Sequence, residues 1–358
     1  MVPQEPVKRL DNRREFLQRF GIVGAGVAIA NLFWQNQRAQ NNSPQTATPS
    51  SDYGTIPRRM LGRTGVEVSV LALGGAHLGG VEEQEAIRIV QTAIDAGVNF
   101  LDNAWEYRNG RCEELMGKAL QGRRDKAFLM TKVCTHGRDA RVAMQQLEQS
   151  LQRLKTDRID LWQIHEVIYD NDPERHFAKG GVVEALEQAK QQGKVRFVGF
   201  TGHKDPAIHL KMLSYDYPFD TCQLPLNCFD GTFRSFEQQV LPELQRRNIA
   251  AIGMKSLGGD GNAVKKGIVK VEEALRYAMS LPVASIVSGI DSLEVLEQNL
   301  RIASNFQPMS SEQMQAVRDR YAHYAADGRF ELYKTSKKYD GKPGREQHGF
   351  PLTQQLKL

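Results

Sequence analysis

The sequence of 358 residues predicts a single (β/α)8 barrel, a TIM barrel, behind an N-terminal extension. From Val68 onward, β-branched runs alternate with stretches of helical period, the pattern of parallel strands joined by crossover helices. Eight such units fit into about 240 residues, and a closed barrel typically takes roughly 250. An open dinucleotide-binding sheet would need a GxGxxG after its first strand, and the glycine-rich run at 74–80 lacks that spacing.

The N-terminal segment resembles a twin-arginine export signal. A basic stretch with Arg13 and Arg14 precedes an apolar run from Phe20 to Trp34. This run is shorter than the roughly 20 apolar residues of a membrane-spanning helix. An amphipathic or disordered extension is the alternative, although so glycine-rich a run would bury poorly in a core. We expect export to the periplasm or an equivalent compartment by the twin-arginine machinery. Ala39 is the nearest cleavage candidate, and an uncleaved segment would tether the protein to the membrane.

Residues 35–52 have the composition of a linker, because Gln, Asn, Ser, Thr and Pro alternate there without apolar periodicity. The sequence therefore predicts four segments. They are an export signal at 1–40, a disordered linker at 41–52, the barrel at 53–308, and a C-terminal helix with an irregular tail at 309–358.

Charge and cysteine usage exclude several classes of function. The formal net charge is +5, but six Lys and Arg against three Asp and Glu lie in the first forty residues, so the remainder is almost neutral. Since no basic patch stands out, a nucleic-acid partner is not expected. The four cysteines form no CxxC pair and have no histidine at zinc-finger spacing, which predicts neither a disulfide framework nor a metal site. An exported protein without disulfides fits export after folding.

The barrel strands are predicted at eight β-branched runs. They are Val68–Gly74, Asn99–Ala104, Ala127–Val133, Asp160–Glu166, Val195–Thr201, Thr221–Asn227, Ala250–Ser256 and Ser285–Ile290. Helices are predicted between them at six amphipathic stretches. These are Glu83–Ala96, Arg141–Leu154, Val182–Gln192, Phe236–Arg247, Val271–Ser280 and Leu293–Ser304. Gly97, Gly193 and Asn248 follow three of the helices, as C-terminal caps require.

Two further elements flank the barrel. Arg58–Leu61 and Glu67–Val70 enclose the sequence Gly-Arg-Thr-Gly, which predicts a small hairpin at the bottom of the barrel. After Ser310 one more helix is expected at about Glu312–Ala326, followed by a tail rich in Lys, Gly and aromatic residues.

Ionisable residues end three consecutive strands, on the face where barrels carry their chemistry. Asp102, Lys132 and His165 end strands two, three and four, and Tyr107 follows five residues after Asp102. Burial of such groups costs several kcal/mol unless they are paired. We therefore expect Asp102, Lys132 and His165 to pair with each other.

This arrangement resembles the pattern of the aldo-keto reductase family. That pattern has an Asp and a Tyr five residues apart after strand two, a Lys ending strand three and a His ending strand four. The match falls on Asp102, Tyr107, Lys132 and His165, and the resemblance covers residues 58 to about 306. Each residue alone would be an ordinary rim or core group, but the four together in this order are specific. The resemblance implies an NAD(P)H-dependent oxidoreductase that interconverts an aldehyde or ketone and an alcohol.

Elementary acid–base chemistry agrees with these roles. A phenol is a poor acid at neutral pH, and a neighbouring Lys132 ammonium is expected to lower the pKa of Tyr107. Asp102 would hold Lys132, and His165 would steady the substrate oxygen as a neutral hydrogen-bond donor. Glu106, which precedes the tyrosine, has no such support from the pattern.

The resemblance also implies where a nicotinamide cofactor lies. Thr201 replaces the serine that the family places after strand five, Gln223 matches its glutamine on strand six, and His203 is either a substitute donor or a solvent-facing side chain. After strand seven, Met254 stands where the family often has a stacking aromatic residue. The adjacent Lys255 is expected near the pyrophosphate, and Leu257 is a further cofactor-binding candidate.

The remaining cofactor-binding candidates lie around the start of the helix after strand eight: Ser288, Gly289, Asp291, Gln298 and Asn299. The helix N-terminus suits a phosphate, and the last two residues are expected to contact adenine. Gly289 and Val295 stand where NADPH-dependent members commonly have Lys and Arg, and Asp291 would repel a 2′-phosphate. The choice between NADP and NAD stays open.

Two other classes of function compete with a reductase. One is a nicotinamide-binding redox sensor or partner-docking subunit on the same barrel, and the other is a hydrolase that uses Asp102 and His165 with a metal ion, for which a ligand cluster is lacking. We expect a monomer that acts on a small carbonyl or alcohol substrate. The identity of that substrate depends on the loops and on the tail from Arg329 onward.

Overall fold

A computed structural model describes residues 54–135 and 139–352 of the chain. The predicted export signal at 1–40 and the linker at 41–52 lie outside the described residues. In the ranges that are described, we find no helix that is both long enough and apolar enough to cross a membrane.

Eight parallel strands form a closed barrel, as the sequence predicted. In chain order they are β3 (Leu71–Gly74), β4 (Phe100–Asp102), β5 (Phe128–Val133), β6 (Ile159–Ile164), β7 (Val195–Thr201), β8 (Thr221–Pro225), β9 (Ala250–Met254) and β10 (Ser285–Gly289). Each strand is hydrogen-bonded to the next, and β10 closes the barrel against β3. All carboxyl ends therefore meet on one face.

An antiparallel hairpin of β1 (Arg58–Met60) and β2 (Glu67–Ser69) precedes the barrel. Leu61 and Val68 of this hairpin are fully buried in a cluster with Phe100 and Phe128, which confirms the predicted hairpin. The prediction of one strand at Val68–Gly74 was wrong. Ser69 ends β2 because its hydroxyl donates to the carbonyl of Leu71 at 2.7 Å, a local bond that interrupts the ladder.

Fourteen helices occur in the described ranges. They are α1 (Glu83–Asp95), α2 (Arg111–Ala119), α3 (Ala140–Leu154), α4 (Asp172–Phe177), α5 (Val182–Gln191), α6 (Pro206–Leu213), α7 (Phe236–Gln239), α8 (Leu241–Arg246), α9 (Asn262–Lys265), α10 (Val271–Ser280), α11 (Leu293–Ser304), α12 (Ser311–Ala325), α13 (Leu332–Thr335) and α14 (Lys342–His348). The helix predicted at Phe236–Arg247 is divided into α7 and α8. Pro242 in the first turn of α8 accounts for the break, because its nitrogen has no hydrogen to donate.

Helix α1 shows why these segments are helical. Its buried side chains include Ala86, Ile89, Val90 and Ala93, which share one face at helical spacing. The carboxylate of Glu82 caps the start by accepting from a backbone N–H two residues on, at 2.8 Å. Packing of such faces against the strands builds one main core around the barrel.

The four cysteines, Cys112, Cys134, Cys222 and Cys228, are all buried and form no disulfide. Among residues 54–135 and 139–352, no group of three His, Cys, Asp or Glu side chains is placed to hold a metal ion.

Candidate active site

The strand ends bring the four predicted catalytic residues to the carboxyl face of the barrel. Asp102 is the last residue of β4, Lys132 lies near the end of β5, and His165 directly follows β6. Tyr107 begins a single short turn of 3-10 helix after β4. Because β4, β5 and β6 are consecutive neighbours in the sheet, these side chains converge without a long loop.

The loop that carries Tyr107 has a defined path. The backbone N–H of Trp105 donates to the carbonyl of Lys132 at 3.1 Å. On the far side, Arg108 and Asn109 have φ angles of 50° and 55°, in the left-handed region that non-glycine residues seldom adopt. Such strain persists only where the surroundings fix it, and it often marks functional sites.

Lys132 and Asp102 form a buried ion pair, which confirms that part of the predicted pairing. Their side chains are 1% and 5% exposed. The ammonium of Lys132 also donates to the carbonyl of Asn103 at 2.7 Å and to the hydroxyl of Tyr107 at 3.4 Å. On its other oxygen, Asp102 accepts from Nε2 of Gln223 at 3.1 Å. The tyrosine hydroxyl thus lies at one end of a connected polar network.

His165 does not join this network, and its predicted pairing with Asp102 and Lys132 was wrong. Nδ1 of His165 instead contacts a carboxylate oxygen of Glu106. The imidazole lies edge-on to the ring of Tyr107, with the ring centroids 5.8 Å apart. Burial alone would raise the pKa of Glu106, but the charge of His165 and its hydrogen bond outweigh it and lower that pKa.

Glu106 is a site residue that the sequence reasoning missed. Its position matches no motif and no periodicity, and it becomes notable only because β4 and β6 bring it against His165. The one available signal was its place directly before Tyr107 in a short loop.

The pKa of Tyr107 is raised well above its ordinary value, not lowered as the sequence predicted. Burial is the main cause, and the carboxylates of Asp102, Glu106 and Glu166 add to it. The ammonium of Lys132 does not reverse this effect, because Asp102 is paired with it. Tyr107 is therefore held in its protonated form.

Beside these residues, β7 and β8 present polar groups that suit a nicotinamide carboxamide. Thr201 ends β7 and is paired in register with Gln223 of β8. Oγ1 of Thr201, Oε1 of Gln223 and Nε2 of His203 are buried and have no hydrogen-bond partner in the described part of the chain. Buried atoms without partners are costly, and a carboxamide offers both donors and an acceptor to such a set. The residues present therefore fit the cofactor that the sequence implied.

Lys255 lies next to this group, just after β9. Met254 and Leu257 beside it are half-buried. The Lys255 ammonium lies 5.5 Å from the ring centroids of both Tyr333 and Tyr339, and no carboxylate of residues 54–135 or 139–352 forms an ion pair with it. Burial lowers its pKa, and Lys132 adds to this effect against the opposing charge of Glu166. An anionic group would supply the partner that Lys255 lacks.

The candidates at β10 and α11 are only partly brought together. Ser288 and Asn299 are buried and bonded to each other at 3.0 Å, so the Asn299 amide donor points inward to the strand. Gly289 lies under the ring of His77, which is 2.2 Å from where a Cβ would be. Asp291 is exposed at the start of α11. Gln298 is also exposed, and it lines a separate cleft between α10 and α11.

The C-terminal tail packs on the carboxyl face and is irregular except for two short helices, α13 and α14. The side chains of Lys334, Asp230 and Glu331 are fully buried, and Lys334 bridges the two carboxylates at 2.5 and 2.7 Å. Nearby, the backbone N–H of Gly341 donates to Glu166, the neighbour of His165. Burial raises the pKa of Glu166 to about 7.

Comparisons with known proteins point to one family. The model of the aldo/keto reductase family matches residues 70–270. An uncharacterised oxidoreductase of Bacillus subtilis is 27% identical over 305 residues, which cover 73% of this chain and 95% of that protein. The L-galactose dehydrogenase of Arabidopsis thaliana is 25% identical over 299 residues, 72% of this chain and 91% of the relative.

Solved structures share the fold. The holo form of an aldo-keto reductase from Bacillus halodurans superposes with a TM-score of 0.63 at 24% identity and covers 74% of this chain and 96% of its own. A putative aldo-keto reductase of Pseudomonas aeruginosa gives a TM-score of 0.58 at 26% identity, with 70% and 97% of the two chains covered.

Proposed function

Because the chain belongs to the aldo/keto reductase family, and is thus an oxidoreductase of carbonyl or alcohol groups, we propose that it is an NAD(P)H-dependent reductase with Tyr107 as proton donor. The observation that carries the proposal is the buried pair of Lys132 and Asp102, with the Lys132 ammonium 3.4 Å from the Tyr107 hydroxyl. The substrate is an aldehyde or ketone, and the same site oxidises the alcohol in the reverse direction.

When bound, the reduced nicotinamide supplies a hydride to the carbonyl carbon. Thr201 and Gln223 would hold its carboxamide through their unpartnered buried atoms. Met254 would contact the ring, Lys255 would meet the pyrophosphate, and Leu257 beside them would also line the cofactor site. The adenosine half would use the residues around the start of α11: Ser288, Gly289, Asp291, Gln298 and Asn299.

Tyr107 completes the reduction by moving its hydroxyl proton to the substrate oxygen. Its raised pKa keeps the proton in place until negative charge develops on that oxygen, because an alkoxide is a stronger base than a phenolate. Lys132 then stabilises the phenolate that remains, and Asp102 holds the ammonium beside the Tyr107 hydroxyl through the buried ion pair. Since the site is buried, these interactions are stronger than they would be in water.

Replacement of Tyr107 by phenylalanine tests the proposal. Tyr107→Phe should lower kcat by about 10²-fold or more with an aldehyde panel, since it removes the proton donor. Cofactor affinity, measured by fluorescence titration with NADH and NADPH, should stay close to that of the wild type. Tyr217→Phe is the matched control, because its hydroxyl bonds Glu187 at the surface.

A fully active Tyr107→Phe variant would overturn the proposal. A wild-type protein that binds the cofactor but reduces none of the aldehydes would favour the redox-sensor alternative instead.

We also propose export through the twin-arginine machinery to the periplasm or an equivalent compartment, and a monomeric protein. The export proposal rests on Arg13, Arg14 and the apolar run to Trp34, all outside the described residues. Folding around a cofactor in the cytoplasm before export would explain the choice of this route.

A further inference from the structure

The contact between Glu106 and His165 lies outside the network of Asp102, Lys132 and Tyr107, and it calls for a role of its own. We propose that Glu106 is a positioning residue that accepts the Nδ1 hydrogen of His165 and stabilises positive charge on the ring. Nε2 of His165 then donates a hydrogen bond to the substrate oxygen. This inference rests on the proposed function, because it assigns a role to the histidine of that active site.

The placement of hydrogen atoms leads to this conclusion. Nδ1 of His165 lies against a carboxylate oxygen of Glu106, and the proposal places a hydrogen on Nδ1 because two facing lone pairs would repel. A neutral imidazole has only one N–H, so Nε2 would then be an acceptor and unable to bind a carbonyl oxygen as donor. Both nitrogens carry hydrogen only in the charged ring, which a neighbouring carboxylate favours. The two proposed hydrogen bonds therefore need an N–H on each nitrogen of His165, whereas the sequence predicted a neutral donor with only one.

Burial strengthens the electrostatic attraction between Glu106 and His165. The side chains of His165 and Glu106 are 11% and 12% exposed, so water screens their attraction weakly. The lowered pKa of Glu106 agrees with a carboxylate that is charged in this setting, where burial alone would act in the opposite direction. Oε2 of Glu106 is buried and has no hydrogen-bond partner within the described ranges. An unsatisfied carboxylate oxygen costs stability, and costs of this kind concentrate at functional sites.

The other groups around the pair leave this role to Glu106. The titratable side chains that interact with the pair or with its direct neighbours include Tyr107, Lys132, Cys134, Glu166 and His203, together with Asp102 and Lys255. Lys132 is paired with Asp102. Burial raises the pKa of Glu166 to about 7 and its carboxylate accepts from Gly341, so it is less charged than Glu106 near neutral pH. The pKa of His203 is lowered well below its ordinary value by burial, which leaves that ring neutral.

The experiment compares the full-length wild type with Glu106→Gln and Glu106→Asp in the reduction of 4-nitrobenzaldehyde. Glu106→Gln should lower kcat by about 10²-fold, with KM changed less than about threefold, because the variant loses transition-state stabilisation. The fall of kcat/KM at alkaline pH should begin at lower pH than in the wild type. Glu106→Asp, which keeps the charge, should recover part of kcat and of the pH profile.

Nitrogen-15 NMR of the histidine side chains supplies a readout that needs no turnover. In the wild type Nδ1 of His165 should carry a hydrogen, and Glu106→Gln should shift its signal, assigned with His165→Gln. If Glu106→Gln does not fold, the Nδ1 signal of the wild type and the pH profile of Glu106→Asp still test the role of Glu106.

Unchanged kcat and an unchanged pH profile in Glu106→Gln, or an Nδ1 without hydrogen in the wild type, would overturn the inference. If Tyr107→Phe is inactive at the same time, the proposed function stands and only the role of Glu106 fails. A wild type without any reductase activity would instead remove the proposed function on which the inference rests.

Discussion

Lys334 anchors the C-terminal tail, and its replacement by methionine should destabilise the fold strongly. The ammonium is 2.5 Å from Asp230 and 2.7 Å from Glu331, and all three side chains are fully buried. Removal of one partner from a buried ion pair typically costs about 3–5 kcal/mol, because it leaves uncompensated charge. Lys334→Met leaves Glu331 and Asp230 without their cation, and burial already raises the pKa of Asp230 to about 8, so Asp230 can take up a proton. Asp230 keeps a bond of 2.7 Å from the backbone N–H of Glu237, so we expect the loss to stay within this range.

Guanidinium chloride denaturation followed by circular dichroism measures this loss, and a fall of roughly 6–10 °C in Tm should accompany it. Lys211→Met is the matched control. Lys211 also forms an ion pair, with Glu174 at 2.6 Å, but on the surface, and its removal should leave stability unchanged within error. In the double variant Lys334→Met with Glu331→Gln, one buried charge fewer remains and stability should partly return. A loss below about 1 kcal/mol in Lys334→Met would refute the reasoning from buried charge.

Three further changes have defined outcomes. Burial raises the pKa of Glu166 from 4.5 to about 7, so the folded chain keeps this proton to higher pH than the unfolded chain does. The free energy of unfolding should therefore fall by up to about 3 kcal/mol as the pH rises between these two values. Glu166→Gln should flatten this pH dependence in denaturation curves, and an unaltered pH dependence would contradict the prediction. Asp291→Asn should tighten NADPH roughly threefold without changing NADH, because an exposed carboxylate repels the 2′-phosphate; equal changes in both fluorescence titrations would argue against this. Replacing Arg13 and Arg14 by lysine should retain the protein in the cytoplasm, whereas unchanged cell fractionation would exclude the twin-arginine route.

The barrel was predictable because its strands and most of the helices between them have local signals of their own. Val271–Ser280 and Leu293–Ser304 form α10 and α11 with the predicted bounds, since their apolar periodicity extends to the last turn. Helices α2 and α6 were not predicted. Helix α6 is apolar on most faces and thus shows little periodicity, with Ile208, Met212 and Leu213 all buried.

The contacts of the candidate site were predictable only where they join residues at the ends of neighbouring strands. Asp102 and Lys132 lie on adjacent strands, so their pairing follows from the order of the strands. The contact of Glu106 with His165 joins a loop to a strand two positions away in the sheet, and no sequence period reports it. The anchor between Lys334 and Asp230 joins residues 104 apart in the chain, and a buried lysine in a polar tail gives no sign of its burial beforehand.

Transfer of deuterium from a labelled cofactor tests the central claim most directly. The wild type should be incubated with an aldehyde and NADH or NADPH carrying deuterium on the transferable position of the nicotinamide, and the alcohol examined by mass spectrometry and NMR. We predict one deuterium on the former carbonyl carbon, with the hydroxyl hydrogen drawn from solvent by way of Tyr107. An alcohol without deuterium, or no alcohol with either cofactor, would contradict the assignment of this barrel as a nicotinamide-dependent carbonyl reductase.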